Sequence, residues 1–222
     1  MIKEFQTPRA IIFDLDGTLL NTLEDVAFAM NTVLSNNNYP TYPVNAYRSF
    51  IGGGLFNVIR NTIPEHAQIP QLLNLYHDAL VKEYIKCIDM KTKPYDGIAE
   101  MLDGLSGKNI PLAILSNKAH EFMDGVVKTH FSQWKFKAVF GARAAISPKP
   151  DPYAALEIAS IMNIAPQEIA FLGDTDVDMQ TAANAKMYGI GAAWGFRTVD
   201  ELHNNGAQMI IDHPIELLKL FN

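Results

Sequence analysis

Two aspartates separated by one residue and followed by glycine, Asp14-Leu15-Asp16-Gly17-Thr18, close the apolar run Ala10-Ile11-Ile12-Phe13. A run this short, rich in branched and aromatic side chains, reads as a buried strand that delivers both carboxylates to its carboxyl end. Acidic oxygens beside a glycine turn can hold a divalent cation and leave one oxygen free for chemistry. The same five residues can also form nothing more than a polar turn that caps the next helix. Three further polar segments bear on the choice. Ser116-Asn117-Lys118 follows the apolar stretch 110–115, Lys149-Pro150-Asp151-Pro152 opens a later helix, and Gly173-Asp174-Thr175-Asp176-Val177-Asp178 follows Ile169-Ala170-Phe171-Leu172. Taken singly, each is explained by a helix cap, a solvated charge or an Asx turn. Together they put carboxylates, a hydroxyl, an amide and an ammonium at the ends of successive strands.

The elements that must position these groups follow from the hydrophobic period. Leu23, Val26, Ala27, Met30, Val33 and Leu34 recur at three- and four-residue steps and predict a helix that stops over 35–40. Further helical segments are expected at Val44–Ser49, from Leu55 and over 72–88, with Gly52-Gly53-Gly54 between the first two and no convincing strand from 20 to about 90. After Pro94, helices near 97–105, 118–128, Tyr153–Met162 and 177–185 alternate with strands at 110–115, 138–140, 169–172 and 187–192, and a weak one at 208–211. Near-continuous apolar strands alternating with amphipathic helices imply a parallel sheet covered on both faces. The expected fold class is α/β: residues 1–18 and 95–222 form the sheet domain, and residues 19–94 an inserted all-helical cap domain. Open α/β sheets bind ligands at the carboxyl edge of their strands. Asp14, Asp16, Ser116, Lys149, Asp174 and Asp178 are therefore expected in one crevice.

The chain has 222 residues, enough for one large domain or a core with an insertion. A formal net charge of −6 argues against a non-specific binder of nucleic acid or anionic membrane, and means that an anionic ligand needs its own local cations. The single cysteine, Cys87, excludes an intrachain disulfide and fits a reducing compartment. Met1-Ile2-Lys3-Glu4-Phe5 lacks the apolar core of a signal peptide, and no run approaches the roughly 18 apolar residues of a membrane span. A soluble, cytoplasmic protein is expected. The six histidines show no close metal-ligand spacing and read as surface or packed side chains. Phe131, Trp134, Phe136 and Phe140 pack beside a core strand or supply an oligomer contact, so a monomer or weak homodimer is expected.

In order and combination, Asp-x-Asp-Gly-Thr at 14–18, Ser116-Asn117, Lys149-Pro150 and Gly173-Asp174-x-x-x-Asp178 resemble the four motifs of the haloacid dehalogenase superfamily. The helical insertion resembles that superfamily's first type of cap. Residues 14–34, Trp194-Gly195-Phe196-Arg197 and the stretch through Asp212-His213-Pro214 are similar to its phosphoglycolate phosphatase-like branch. Two departures are Asn21, where the branch usually has Asp, and Thr175, where it commonly has Ser. The resemblance implies a Rossmann-like doubly wound parallel-sheet core under the cap. It also implies a Mg2+-dependent phosphatase acting on a small phosphorylated metabolite, a phosphoglycolate-like phosphomonoester. Asp14 would be the nucleophile that forms an aspartyl-phosphate. Asp16 would protonate the leaving alkoxide and then take a proton from water, a role that calls for a protonated Asp16 at substrate binding, favoured by burial and nearby carboxylates. Mg2+ would sit on Asp14, Asp174 and the Asp16 backbone carbonyl, with Asp178 acting through water, and Lys149 would add a second positive charge. Ser116, Thr18 and the backbone after Asp16 would hold phosphate oxygens, Asn117 would steady them, and Lys118 would add a positive contact.

Substrate choice would then belong to the cap, with Gly53 at the centre of a loop reaching towards the leaving group, or simply in a helix–helix turn. Arg48, just before this loop, would bind a substrate carboxylate or simply be a solvated side chain, and Arg197 is a further positive candidate. Rival readings share the core. Inorganic pyrophosphate hydrolysis is compatible with every motif. Sugar mutases of the superfamily tend to carry a cap histidine twelve residues past the nucleophile, where this chain has Val26. Dehalogenation needs neither the second aspartate nor Mg2+. A non-catalytic regulator built on this fold would be expected to lack Asp14, Asp16, Lys149 or Asp174, and all four are present.

Overall fold

The computed structural model describes residues 7–221, so the expectation drawn from residues 1–5 lies outside the described residues. β1 (Ala10–Phe13) leads through a two-residue strand, β2 (Leu20–Asn21), into a helical region of α1 (Leu23–Asn36), a 3-10 segment at Val44–Ser49, α2 (Leu55–Thr62) and α3 (Pro70–Cys87). β3 (Lys93–Pro94) leads back to α4 (Ile98–Gly107), β4 (Leu112–Ala119), α5 (His120–His130), β5 (Phe136–Ala142), α6 (Tyr153–Met162) and β6 (Ile169–Gly173). α7 (Asp176–Ala185), β7 (Tyr188–Ala192), α8 (Val199–Asn204), β8 (Met209–Ile211) and a 3-10 segment at Pro214–Phe221 complete the described chain.

Six strands form one parallel sheet in the order β5-β4-β1-β6-β7-β8. β1 is central and buried on both sides, which is why its four residues are all apolar. Alternate side chains serve opposite faces: Ile11 and Phe13 join Ile114 and Leu172 in one apolar cluster, while Ala10 and Ile12 join Ala113 and Phe171 in the other. The chain builds outward from β1 to β4 and β5 on one side and to β6, β7 and β8 on the other. The order therefore reverses beside β1, and the crevice of such a sheet opens at that point.

The helical region has its own apolar cluster. The α1 stripe is buried from Leu23 to Leu34 and packs with Tyr47, Ile59, Leu80 and Tyr84. Phe196, from the sheet-bearing part of the chain, is buried in the same cluster. Two connections cross between the parts, and both are tied. β2 pairs antiparallel with β3 through Leu20–Pro94 and Asn21–Lys93. The buried Asp25 carboxylate accepts bonds from the backbone N–H groups of Lys91 and Thr92 and from the Thr92 hydroxyl at 2.7–3.1 Å.

The sequence pattern misses these two short strands, because their pairing depends on partners some seventy residues apart rather than on local period. It also ends β4 too early. The polar residues Ser116-Asn117-Lys118 break the apolar run, yet the backbone continues to Ala119, which pairs with Ala142 across a β-bulge. Helix α5 accordingly begins at His120 and not near residue 118. Val44–Ser49 is helical as expected, but of the tighter 3-10 type. Among the described residues, no helix is long and apolar enough to cross a membrane.

Candidate active site

The end of β1 carries Asp14, whose N–H donates to Leu172 O of β6 at 2.9 Å, fixing the aspartate between two strands. The end of β6 carries Asp174. One turn into α7, Asp178 accepts from the N–H and hydroxyl of Thr175, the residue that caps the helix, at 3.0 and 2.6 Å. This capping box explains the four-residue spacing from Asp174 to Asp178: one carboxylate ends the strand, and the other closes the first helical turn. Thr175, in place of Ser, supplies the hydroxyl that the cap requires.

The carboxylates of Asp14, Asp174 and Asp178 are buried, with ligand oxygens all within 4.8 Å of one another. Lys149 Nζ lies 2.8 Å from Asp14 Oδ1 and 2.6 Å from Asp178 Oδ1. One ammonium thus faces three carboxylates. Burial, reinforced by Asp178 and Asp174, pushes Asp14 well above the usual carboxylate range despite Lys149. Burial and Asp178 push Asp174 up to about 7, against the opposing pull of the Phe196 N–H and the Thr18 hydroxyl. Burial alone would lower Lys149, but Asp14 and Asp178 outweigh it and hold the ammonium above its ordinary value. At about 4 Å and an effective dielectric near 20, each like-charge pair costs roughly 4 kcal/mol. A hard divalent cation with oxygen ligands fits this donor set, because it would neutralise the charge that Lys149 leaves uncompensated.

Two glycines make room for Asp174. Gly17 adopts φ +97°, and a Cβ there would collide with the Asp174 carboxylate. A Cβ at Gly195 would strike the same side chain. The Asp174 carboxylate is then held from both sides, by Thr18 Oγ1 at 2.8 Å on Oδ1 and by the Phe196 N–H at 2.8 Å on Oδ2. Thr18, expected at the substrate, is fully buried with its hydroxyl committed to Asp174.

Asp16 has a different neighbourhood. Its carboxylate lies 3.1 Å from Lys118 Nζ, an ammonium where the sequence reading places carboxylates beside it. Lys118 Nζ also donates to the Tyr84 hydroxyl of α3 at 2.6 Å. Burial opposes the Lys118 charge, but Asp16 and Tyr84 raise it above its ordinary value. Burial pushes Tyr84 up to about 12. Asp14, Asp16, Ser116, Asn117 and Lys118 line one cavity together with Tyr84, Val26, Gly52 and Gly54. Gly53, exposed at the tip of its loop, does not line it. The Ser116 hydroxyl accepts from Lys118 N at 3.1 Å. The Asn117 side chain donates to Gly52 O and Lys149 O and accepts from Lys149 N, tying the Gly52 loop to the lysine that faces Asp14.

The two arginines form a reciprocal clasp. Arg48, in the helical region, donates to Gly195 O, while Arg197 donates to Arg48 O and Ile51 O and lies 3.5 Å from Asp176. Tyr84 is the cavity-lining partner of Lys118 that sequence reasoning misses. It falls on the buried face of α3 with Tyr76 and Leu80 and reads there as ordinary core.

A parallel sheet whose carboxyl edge gathers a buried aspartate cluster with a lysine defines a hydrolase of recognisable type. The chain belongs to the family of haloacid dehalogenase-like hydrolases, which it matches over residues 11–192. It is 27% identical over 214 residues to the phosphoglycolate phosphatase of Aquifex aeolicus, covering 96% of this chain and 97% of that one. The phosphoglycolate phosphatase of Pseudomonas putida is also 27% identical, over 95% of this chain and 79% of its own. A crystal structure of a candidate phosphoglycolate phosphatase from Lactobacillus delbrueckii subsp. bulgaricus superposes with a TM-score of 0.88 at 28% identity, covering 96% of this chain and 98% of that one. CbbY from Rhodobacter sphaeroides, solved in complex with phosphate, shares the fold with a TM-score of 0.76 at 20% identity over 95% of this chain and 96% of its own.

Proposed function

We propose that this hydrolase is a Mg2+-dependent phosphatase of small phosphomonoesters that works through an aspartyl-phosphate. The observation that carries the reading is the Asp14–Lys149–Asp178 contact beside Asp174, next to a cavity that also holds Asp16 and Ser116. Asp14 attacks phosphorus as the ester P–O bond breaks, and Asp16 delivers its proton to the departing oxygen. Asp16, now anionic and beside Lys118, takes a proton from the water that attacks the acyl phosphate, releasing inorganic phosphate and restoring Asp14. Lys149 neutralises the nucleophile's surroundings, and Ser116 with the backbone after Asp16 binds phosphoryl oxygens. Asp14, Asp174 and the Asp16 carbonyl would hold Mg2+, with Asp178 behind them, and the ion would supply positive charge for the phosphoryl oxygens.

Residues 1–18 and 95–222 act in this reading as the catalytic core, and residues 19–94 as a cap that excludes water. Val26 in the cavity, where sugar mutases tend to carry histidine, favours hydrolysis over phosphoryl return to a sugar. The relatives' names make 2-phosphoglycolate the first metabolite to test. A cytoplasmic monomer or weak homodimer completes the proposal. Hydrolysis of p-nitrophenyl phosphate by the purified protein should vanish in EDTA and return with added Mg2+. Undiminished activity in EDTA would contradict the metal's role.

A further inference from the structure

We infer, resting on the phosphatase reading, that Tyr84 of the helical region is a positioning residue for acid catalysis, acting on Asp16 through Lys118. Its hydroxyl accepts from Lys118 Nζ at 2.6 Å, and the same ammonium lies 3.1 Å from Asp16 Oδ1. Among the described residues, Asp16 Oδ1 is a buried oxygen that accepts no hydrogen bond, and Lys118 stands against it. The lysine side chain is 6% exposed, and its Nζ sits 4.8 Å from the centre of the Tyr84 ring. That ring is set edge-on to Phe122 of α5, with the ring centres 5.8 Å apart. Tyr84 is thus held by packing, and its hydroxyl is a fixed acceptor for the ammonium.

A neutral carboxyl carries its proton on one oxygen. An ammonium against Oδ1 disfavours a proton there, which leaves Oδ2 to deliver it to the departing oxygen. Once the proton has gone, the new carboxylate already has a counter-charge beside it, and that charge stabilises the transfer. Both effects depend on where Nζ stands. A lysine ammonium rides on a flexible stem, and the Tyr84 hydroxyl removes that freedom. Asp16 and Lys118 belong to the sheet edge, whereas Tyr84 belongs to α3. The acid is therefore fully placed only with the helical region seated over the sheet.

A proton from the enzyme matters most when the leaving oxygen is strongly basic. Phenyl phosphate and p-nitrophenyl phosphate differ by one nitro group, and phenolate, the more basic leaving group, needs the proton far more. Their kcat/KM values cover binding through release of the phenol, and exclude later hydrolysis of the aspartyl-phosphate. In Tyr84→Phe, which keeps the buried ring, kcat/KM for phenyl phosphate should fall roughly fivefold or more relative to that for p-nitrophenyl phosphate. An unchanged ratio would overturn the inference, because a residue that only packs or closes the site lowers both alike. Lys118→Met should depress the same ratio by itself. Adding Tyr84→Phe to it replaces both polar partners together, which guards the fold, and should leave the ratio where Lys118→Met put it. A further fall in the double variant would overturn the route through Lys118. Wild-type protein that turns over neither ester would instead defeat the phosphatase reading itself.

Discussion

Asp174 shows how much of the site depends on residues that do not touch the cavity. Its two oxygens are set by Thr18 Oγ1 and the Phe196 N–H, and its space is kept open by Gly17 and Gly195. A residue that orients a metal ligand typically changes metal affinity or activity by about 10–100-fold when lost. Thr18→Val keeps shape and burial but removes the hydroxyl. It is expected to raise the Mg2+ concentration needed for half-maximal activity by roughly tenfold or more, read from a Mg2+ titration of p-nitrophenyl phosphate hydrolysis. A variant with wild-type Mg2+ dependence would show that Thr18 does not orient Asp174. The aspartates, Lys149 and Ser116 are legible in the sequence because each stands just after an apolar strand pattern or close to the start of a helical one. Thr18 lies next to them, but its partner is 156 positions away, and no local spacing encodes that contact.

At the scale of elements, the connections between sheet and helical region carry unusual polar investment. Asp25 sits in the first turn of α1, where a carboxylate is favourable to the helix dipole, and spends both oxygens on Lys91 and Thr92 just before β3. Removing it leaves buried backbone donors without acceptors. Asp25→Ala is therefore expected to destabilise the fold by about 2–3 kcal/mol, measured by urea unfolding, and a loss indistinguishable from zero would contradict a stabilising role for these bonds. The reciprocal Arg48–Arg197 contacts hold the other side of the same junction. Arg197→Ala should raise KM for p-nitrophenyl phosphate roughly tenfold, as two charge-assisted bonds to the helical region are lost, with the far-ultraviolet circular dichroism unchanged. An unaltered KM would mean that the helical region closes without this clasp. β1 and α1 are readable from period alone, since one is uniformly apolar and the other carries a single buried apolar stripe. β2, β3 and the polar end of β4 are not, because register with a distant partner creates them.

Across the whole molecule, the sheet order places the reversal of strand direction of growth beside β1, and the helical region lies over that point. Three polar threads join the two: Asn117 to Gly52, Lys118 to Tyr84, and the paired arginines. The α/β class and the convergence of the motifs follow from strand–helix alternation, which a parallel sheet converts into one shared edge. The partners of Lys118, Arg48 and Arg197 do not follow from it. They depend on how the inserted helices settle on the sheet, and that packing is encoded in no single segment. Covalent phosphorylation of Asp14 is the claim on which the molecular arrangement turns. Rapid quenching during turnover, reduction of the acyl phosphate with borohydride and peptide mapping by mass spectrometry should locate the modification at Asp14 and find none in Asp14→Asn, which should be folded and inactive. Modification at another residue, or full turnover by Asp14→Asn, would contradict it.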